Sequence, residues 1–244
     1  MILTAHPRSL RRARLWIAIP LLTLGLASVA EPRERGVKPA DVCVTNGVVE
    51  KEASGKFVIN SASSRAVVTG SDDSVGVLRF EYLGPSAGET KLASGNVRRQ
   101  LGIKLRAEDS CNVIYVMWGI EPQPGLVVSM KVNEGKTTHA QCGVKGYKLI
   151  PATFEKPVAP IRVGEPRTLA AKLDENRKLT VRVDGDVVWE GIAFPAAKTM
   201  YGYTGIRTDN VLVRFEWLSE DDEVPAARRA GRAAPQVACK KVQN

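Results

Sequence analysis

K-L-T-V-R-V-D-G-D-V-V-W-E-G (178–191) and, after a short loop, Y-G-Y-T-G-I-R-T-D-N-V-L-V-R-F-E-W (201–217) decide the fold. Each is built from short runs of alternating apolar and polar residues, closed by Asp-Gly or Asp-Asn. Side chains alternate faces along a strand, so such runs bury one face and expose the other. Around Asp184-Gly185 a two-residue turn would place Trp189 opposite Thr180 and split the apolar set. A three-residue loop, Val183-Asp184-Gly185 with Gly185 left-handed, pairs Val181 with Val187 and Leu179 with Trp189. The sequence therefore favours the odd loop. In the last run Val211, Val213, Phe215 and Trp217 share a face, with Arg214 and Glu216 on the other.

Further runs of this kind occur upstream, at 56–60, 65–69, 75–83, 97–106, 111–120, 126–132, 147–150 and 167–173. With 178–182, 186–191, 201–207 and 210–218, about 12 short strands separated by turn residues predict an all-β, two-sheet antiparallel sandwich. No run has a helical period, and no internal repeat is present.

The N-terminus is read apart from this fold. Arg8, Arg11, Arg12 and Arg14 precede an apolar run from Leu15 to Leu26, and Ala27-Ser28-Val29-Ala30 follow. This order describes a signal peptide over 1–30, too short to span about 30 Å of hydrocarbon. Residues 31–42 read as a flexible segment and 43–218 as the sandwich. Residues 219–244, beginning near the acidic Glu220-Asp221-Asp222-Glu223, read as an extension tied by Cys239. A secreted or periplasmic location follows, with no membrane attachment after cleavage.

Of 244 residues, 214 would remain, enough for one large β domain with its own core. Four of the 35 basic residues lie in the leader, leaving 31 against 26 acidic ones. So mild an excess argues against nucleic acid and is compatible with an acidic polysaccharide. Cys43, Cys111, Cys142 and Cys239 all lie after the leader, and an even count in an oxidising compartment reads as two disulfides. Of three pairings, Cys111–Cys142 within one strand group and Cys43–Cys239 joining the chain ends are favoured. His139-Ala-Gln-Cys142 has a zinc-like spacing, but His139 is the one histidine after residue 30 and no Cys-x-x-Cys exists.

The middle of the chain carries the candidate site. A four-residue turn at 107–110 would pair Leu101 with Val116 and Ile103 with Ile114. A five-residue turn at 121–125 would pair Trp118 with Val128 and Val116 with Met130. One face of this unit is then apolar core, each branched side chain contributing about 1.5–3 kcal/mol. The other face carries Gln100, Gly102, Lys104, Tyr115, Met117, Ser129 and Lys131. In this register Gly102 lies across from Tyr115 and leaves its ring open, with Lys131 beside it. A flat aromatic with amide, hydroxyl and ammonium neighbours suits a sugar ring, so Tyr115, Gln100, Lys104, Lys131 and Ser129 are the expected ligand contacts. The rival is an outer face packed under a loop.

On L-T-V-R-V-D-G-D-V-V-W-E-G (179–191) and Y-G-Y-T-G-I-R-T-D-N-V-L-V-R-F-E-W (201–217), the chain resembles the concanavalin A-like lectin/glucanase superfamily of jelly rolls, laminin G-like domains included. The resemblance covers roughly 45–218 and implies a jelly-roll fold with lectin, hydrolase or adhesion activity. Glucanase members carry E-x-D-x-x-E or E-x-D-x-E on one strand, and no strand here has it. Glycoside hydrolysis needs carboxylates about 5–9.5 Å apart. Glu81 stands alone in its strand, and Glu108-Asp109 lies in a turn. The reading therefore leans away from an enzyme and toward a non-catalytic carbohydrate-binding module acting on a glycan. A structural or protein-binding domain of the cell envelope is the alternative. No cofactor is expected. Asp184, Asp186, Asp209 and Asn210 could offer oxygens to calcium, but turn formation is their ordinary use. His139 lacks a nucleophile-elbow partner for a triad.

Overall fold

The computed structural model describes residues 35–71, 74–92, 95–219 and 238–243. The leader, residues 31–34 and the acidic Glu220–Glu223 lie outside the described residues. Among the described residues fourteen strands form: β1 (Arg35–Gly36), β2 (Val42–Asn46), β3 (Glu50–Lys51), β4 (Phe57–Val68), β5 (Val75–Pro85), β6 (Arg99–Ala107) and β7 (Val113–Glu121). Then come β8 (Gly125–Lys131), helix α1 (His139–Cys142), β9 (Tyr147–Leu149), β10 (Ala152–Glu155), β11 (Pro166–Leu173), β12 (Lys178–Val183), β13 (Asp186–Ile192) and β14 (Tyr203–Ser219).

The ordering principle is β14. One of its edges pairs with β4 from Thr204 to Phe215. Its other edge pairs with β6 over Tyr203–Asp209 and with β5 over Val211–Leu218. The two long strands β4 and β14 thus run through both layers of the sandwich. One layer continues from β6 through β7 and β8 to β9; the other from β5 through β11, β12 and β13 to β10. Among the described residues every pairing between two of these strands is antiparallel, as an all-β jelly-roll sandwich requires; Glu50 of β3 also makes a single parallel bridge to Gln243.

Two pairs of expected strands are single strands here. Residues 61–64 (S-A-S-S) carry β4 across the bend, where Ser61 and Ser64 Oγ share a 2.5 Å hydrogen bond and Ser64 also donates to the Val48 carbonyl. At the matching place in β14, T-D-N reads as a turn but is a bend within the strand. Asn210 is left-handed (φ 57°), which its short polar side chain tolerates. Its amide accepts from Thr90 N–H (2.8 Å) and donates to the Thr90 and Arg98 carbonyls (2.9 and 3.0 Å). Those contacts do for the β5–β6 loop what a neighbouring strand would do.

The inner faces meet in one core. Leu101, Ile103, Ile114, Val116, Trp118 and Met130 face Leu78, Phe80, Leu169, Leu179, Val181, Val213, Phe215 and Trp217 within it. The 184–185 hairpin corrects the sequence reading. Asp184 and Gly185 are both left-handed (φ 50° and 91°), and Val183 pairs with Asp186, so the turn has two residues. A bulge between Val181 and Arg182 then restores the parity that the turn would have broken. Trp189 lies opposite Val181, Leu179 lies opposite Gly191, and Val187 is only half-buried while Val188 takes its place inside. The Asp184 carboxylate fixes the turn by accepting from Arg167 Nε (2.7 Å) and Thr168 N–H (2.8 Å).

The β6–β7–β8 register is displaced by two residues from the expected one, with parity kept. Leu101 pairs with Trp118, Ile103 with Val116, and Val116 with Val128. In β6–β7 the cause is a longer loop: Asp109 Oδ1 accepts from Cys111 N–H (2.7 Å) and Asn112 N–H (2.8 Å), and Glu108 N–H bonds the Asn112 carbonyl; in β7–β8 the five-residue connection lies one residue earlier, between Gly119 and Gly125. Gly102 consequently faces Met117, not Tyr115.

Both favoured disulfides are present, Cys43–Cys239 and Cys111–Cys142. His139 and Cys142 therefore bracket one helical turn, not a zinc pair. Lys240 pairs with Val44 beside the first bond, and Arg35–Gly36 already pairs with the end of β14.

Candidate functional site

The outer face of the β4–β14–β6–β7–β8–β9 layer can be read in rows across the strands. Ser63, Asp209 and Gln100 form one row; Arg65, Arg207, Gly102, Met117 and Val127 the next. Cys43, Val67, Gly205, Lys104, Tyr115, Ser129 and Leu149 form the third. Val113, Lys131 and Tyr147 follow. The five residues expected from sequence thus share one face, and pairing with β4, β14 and β9 adds Arg65, Arg207, Asp209 and Tyr147 to it.

The Tyr115 ring is buried (3% exposed) rather than open. Tyr147 stacks against it at 5.9 Å between centroids and 25° between planes, and the Arg207 guanidinium sits 4.9 Å from its centroid. Arg207 Nη1 also donates to the Tyr147 hydroxyl at 3.2 Å, closing a three-membered stack. Tyr147 itself remains 41% exposed. Gly102 opens no space beside Tyr115; a Cβ there would meet the Val116 carbonyl and Met117.

Asp209 organises the cations. Its fully buried carboxylate accepts from Arg65 Nη2 (3.3 Å), Arg207 Nε (2.9 Å) and Gln100 Nε2 (2.8 Å). Arg65 also donates to the Ser63 hydroxyl. Lys131 is buried for a different purpose. Its ammonium donates to the Ser110 (3.0 Å) and Gly143 (2.7 Å) carbonyls, next to the Cys111–Cys142 bond, and so anchors α1 to the sheet. Ser129 is buried between Tyr115 and Leu149 in its row.

The electrostatics are one-sided. Burial, then Arg65 and Arg207, push Lys104 down to about 7. The same causes hold Lys131 below the ordinary lysine range, and burial, Lys131 and both arginines lower His139. Burial pushes the Tyr115 phenol up to about 12, against the Arg207 charge. Burial disfavours the charge of Arg207, but Asp209, Tyr115 and Tyr147 more than offset it and raise its pKa. Lys104, Lys131, His139 and Tyr115 thus all register the positive potential of Arg65 and Arg207.

Among the described residues no group of three or more His, Cys, Asp or Glu is placed to hold a metal ion. Asp184 is engaged by Arg167 and Asp209 by Arg65, Arg207 and Gln100, so neither presents a free carboxylate. His139 opens α1, with a lowered pKa, and lies at the margin of the cationic face.

No protein-family model matches the chain, and no curated protein matches it. Among solved structures it is similar to the carbohydrate-binding module CBM66 from Bacillus subtilis, at 14% identity over 72% of this chain and 91% of that one, TM-score 0.47. It is similar to the metal-free carbohydrate recognition domain of Emp46p, at 12% identity over 74% and 87%, TM-score 0.45. It is also similar to the galectin LEC-6 of Caenorhabditis elegans, at 14% identity over 69% and 98%, TM-score 0.39. The architecture itself rests on the strand order and register described above.

Proposed function

We propose that the chain is an exported, non-catalytic carbohydrate-binding domain that engages glycan at the face carrying Tyr147. The observation that carries this reading is the half-exposed Tyr147 ring, held rigid on the buried Tyr115 and by the Arg207 bond. A pre-positioned aromatic takes the apolar face of a sugar at little cost in order, and neighbouring guanidinium and amide groups take its hydroxyls. Arg65 and Gln100, both partly exposed, supply those groups at the rim. The five residues expected from sequence keep a place in the proposal with divided roles: Gln100 at the rim, Lys104 inside it, and Tyr115, Ser129 and Lys131 as support.

Two observations favour the non-catalytic, exported form. Asp209 is bound by three donors and is not available as half of an acid–base pair. Two disulfides suit an oxidising compartment. The test is a glycan array followed by calorimetry on the full chain. Tyr147→Ala is expected to weaken binding about tenfold or more, and Tyr147→Phe to retain most of it. Unchanged binding by Tyr147→Ala, or no bound glycan at all, would sink the proposal.

A further inference from the structure

We infer that Arg65, Lys104 and Arg207 form a receptor for an anionic substituent of the bound glycan, a carboxylate or a sulfate, with the Lys104 ammonium as its interior contact. The inference rests on the glycan reading of this face and adds the chemical class of the ligand.

Lys104 carries the argument. It is 5% exposed overall; among the described residues no hydrogen bond or ion pair holds its ammonium, and that ammonium is not among the fully buried atoms that lack a partner, so its tip reaches the surface of this face. An ammonium so nearly withdrawn from water with no anion beside it is costly, and charges in such places are ordinarily paired. Lys131, equally buried on the same face, shows the ordinary arrangement with two carbonyl acceptors. Nothing in the packing of Lys104 calls for a charge: its row neighbours are Gly205 and Tyr115, with Val67 and Ser129 beyond. A structural side chain there would be apolar.

Its surroundings deepen the deficit of negative charge. Arg65 on β4, Arg207 on β14 and Lys131 on β8 are cationic, and His139 on α1 senses all three. Facing them are Asp209 on β14 and Asp109 before β7, with the phenols Tyr115 and Tyr147 on β7 and β9. Asp209 is turned to the arginines and Asp109 to Asn112 and the loop backbone. Asp209 binds Arg207 through Nε and Tyr147 takes Nη1, which leaves Nη2 with no partner among the described residues. Donors fixed on one side and free on the other are ready for a ligand oxyanion. An anion there would also restore the proton that burial and the arginines draw from Lys104, whose pKa lies at about 7. Binding near pH 7–8 should therefore take up protons, and affinity should fall as pH rises above 7.

The experiment is calorimetry on the full chain with oligogalacturonate, its methyl-esterified neutral counterpart, a dextran sulfate oligosaccharide and neutral dextran, in buffers of different ionisation enthalpy. At least one anionic probe should bind about tenfold tighter than its neutral counterpart. Lys104→Met should abolish that margin together with the proton uptake, and the carboxylate and sulfate arms identify the group. Equal binding of charged and neutral probes, or wild-type binding by Lys104→Met, would overturn the inference and leave glycan binding standing. Binding of no sugar by the wild-type chain would overturn both. Lys104→Met relieves a buried charge, so loss of fold does not cloud the result.

Discussion

The two halves of β14 follow one alternation and end in opposite environments. In the first half Arg207 and Asp209 turn away from the core, and their side chains are 12% and 0% exposed. In the second half Arg214 and Glu216 turn away from the core in the same manner, and theirs are 32% and 34% exposed. Arg214 bonds both Glu52 oxygens and Glu81, and Glu216 lies near Arg79 and Lys56. Alternation assigns a side chain to a face; it does not say whether water reaches that face. The Tyr115–Tyr147 stack and the Arg207 guanidinium packed on it cover one side of the first network, leaving Arg65 and Gln100 partly exposed at its rim. Charges in water contribute little by pairing, whereas charges out of water depend on one another. That contrast is why the first half is a candidate site and the second is a solvated surface.

The largest effect should come from removing the anion that holds the buried network. Asp209→Ala leaves Arg65 and Arg207 without their shared acceptor and is expected to cost about 3–5 kcal/mol. Urea unfolding of Asp209→Ala beside Glu81→Ala tests the contrast directly, because Glu81 holds the equivalent place in the solvated network. A wild-type midpoint for Asp209→Ala would end the distinction between the two halves.

Lys104 sharpens the same comparison in the opposite direction. Replacing an unpartnered buried charge by an apolar side chain of similar length should stabilise, so Lys104→Met is expected to gain about 1–4 kcal/mol at neutral pH. The pH dependence follows from the lowered pKa. Between about 7 and the ordinary lysine value of 10.5, the unfolded chain holds a proton at this position that the folded chain lacks. Wild-type stability therefore rises with pH across this window, and the cost of Lys104 is full only below about 7. The advantage of Lys104→Met should shrink from pH 7 to pH 10. A gap that widens with pH, or is absent at pH 7, would contradict the assignment.

Parity was legible in the sequence because it depends only on neighbours along the chain. It placed Leu101, Ile103, Val213 and Trp217 inside and brought Gln100, Lys104, Tyr115, Ser129 and Lys131 to one face. Loop lengths were not legible, because side chains set them. Asp109 and Asn112 lengthen one hairpin, and a bulge beside Val188 repairs another after a two-residue turn. The bend at Thr208–Asn210 reads as a turn because the Asn210 partners, Thr90 and Arg98, lie far away in the chain. Reading β14 as two strands hid Arg207 and Asp209 from the candidate site. Their shared parity, against Ile206 and Thr208, was the available signal. Tyr147 had no such signal, since its stack with Tyr115 spans two strand pairings.

The smallest effect is expected in the second half of β14. Arg214 bridges Glu52 and Glu81, its pKa is raised chiefly by its bond to Glu52, and the Glu52 carboxyl is lowered chiefly by the same bond. Such reciprocal shifts resemble those of a stabilising pair. Yet water solvates each partner as well as the other does, and ordering three long side chains opposes the gain. Arg214→Ala should therefore leave the melting temperature and the denaturant midpoint within experimental error of wild type. Raising the salt concentration should not separate the two proteins, because screening acts on an interaction that contributes little at the start. A clear loss of stability in Arg214→Ala would show that burial does not divide the two halves of β14, and that the network around Arg214 is as interdependent as the one around Asp209.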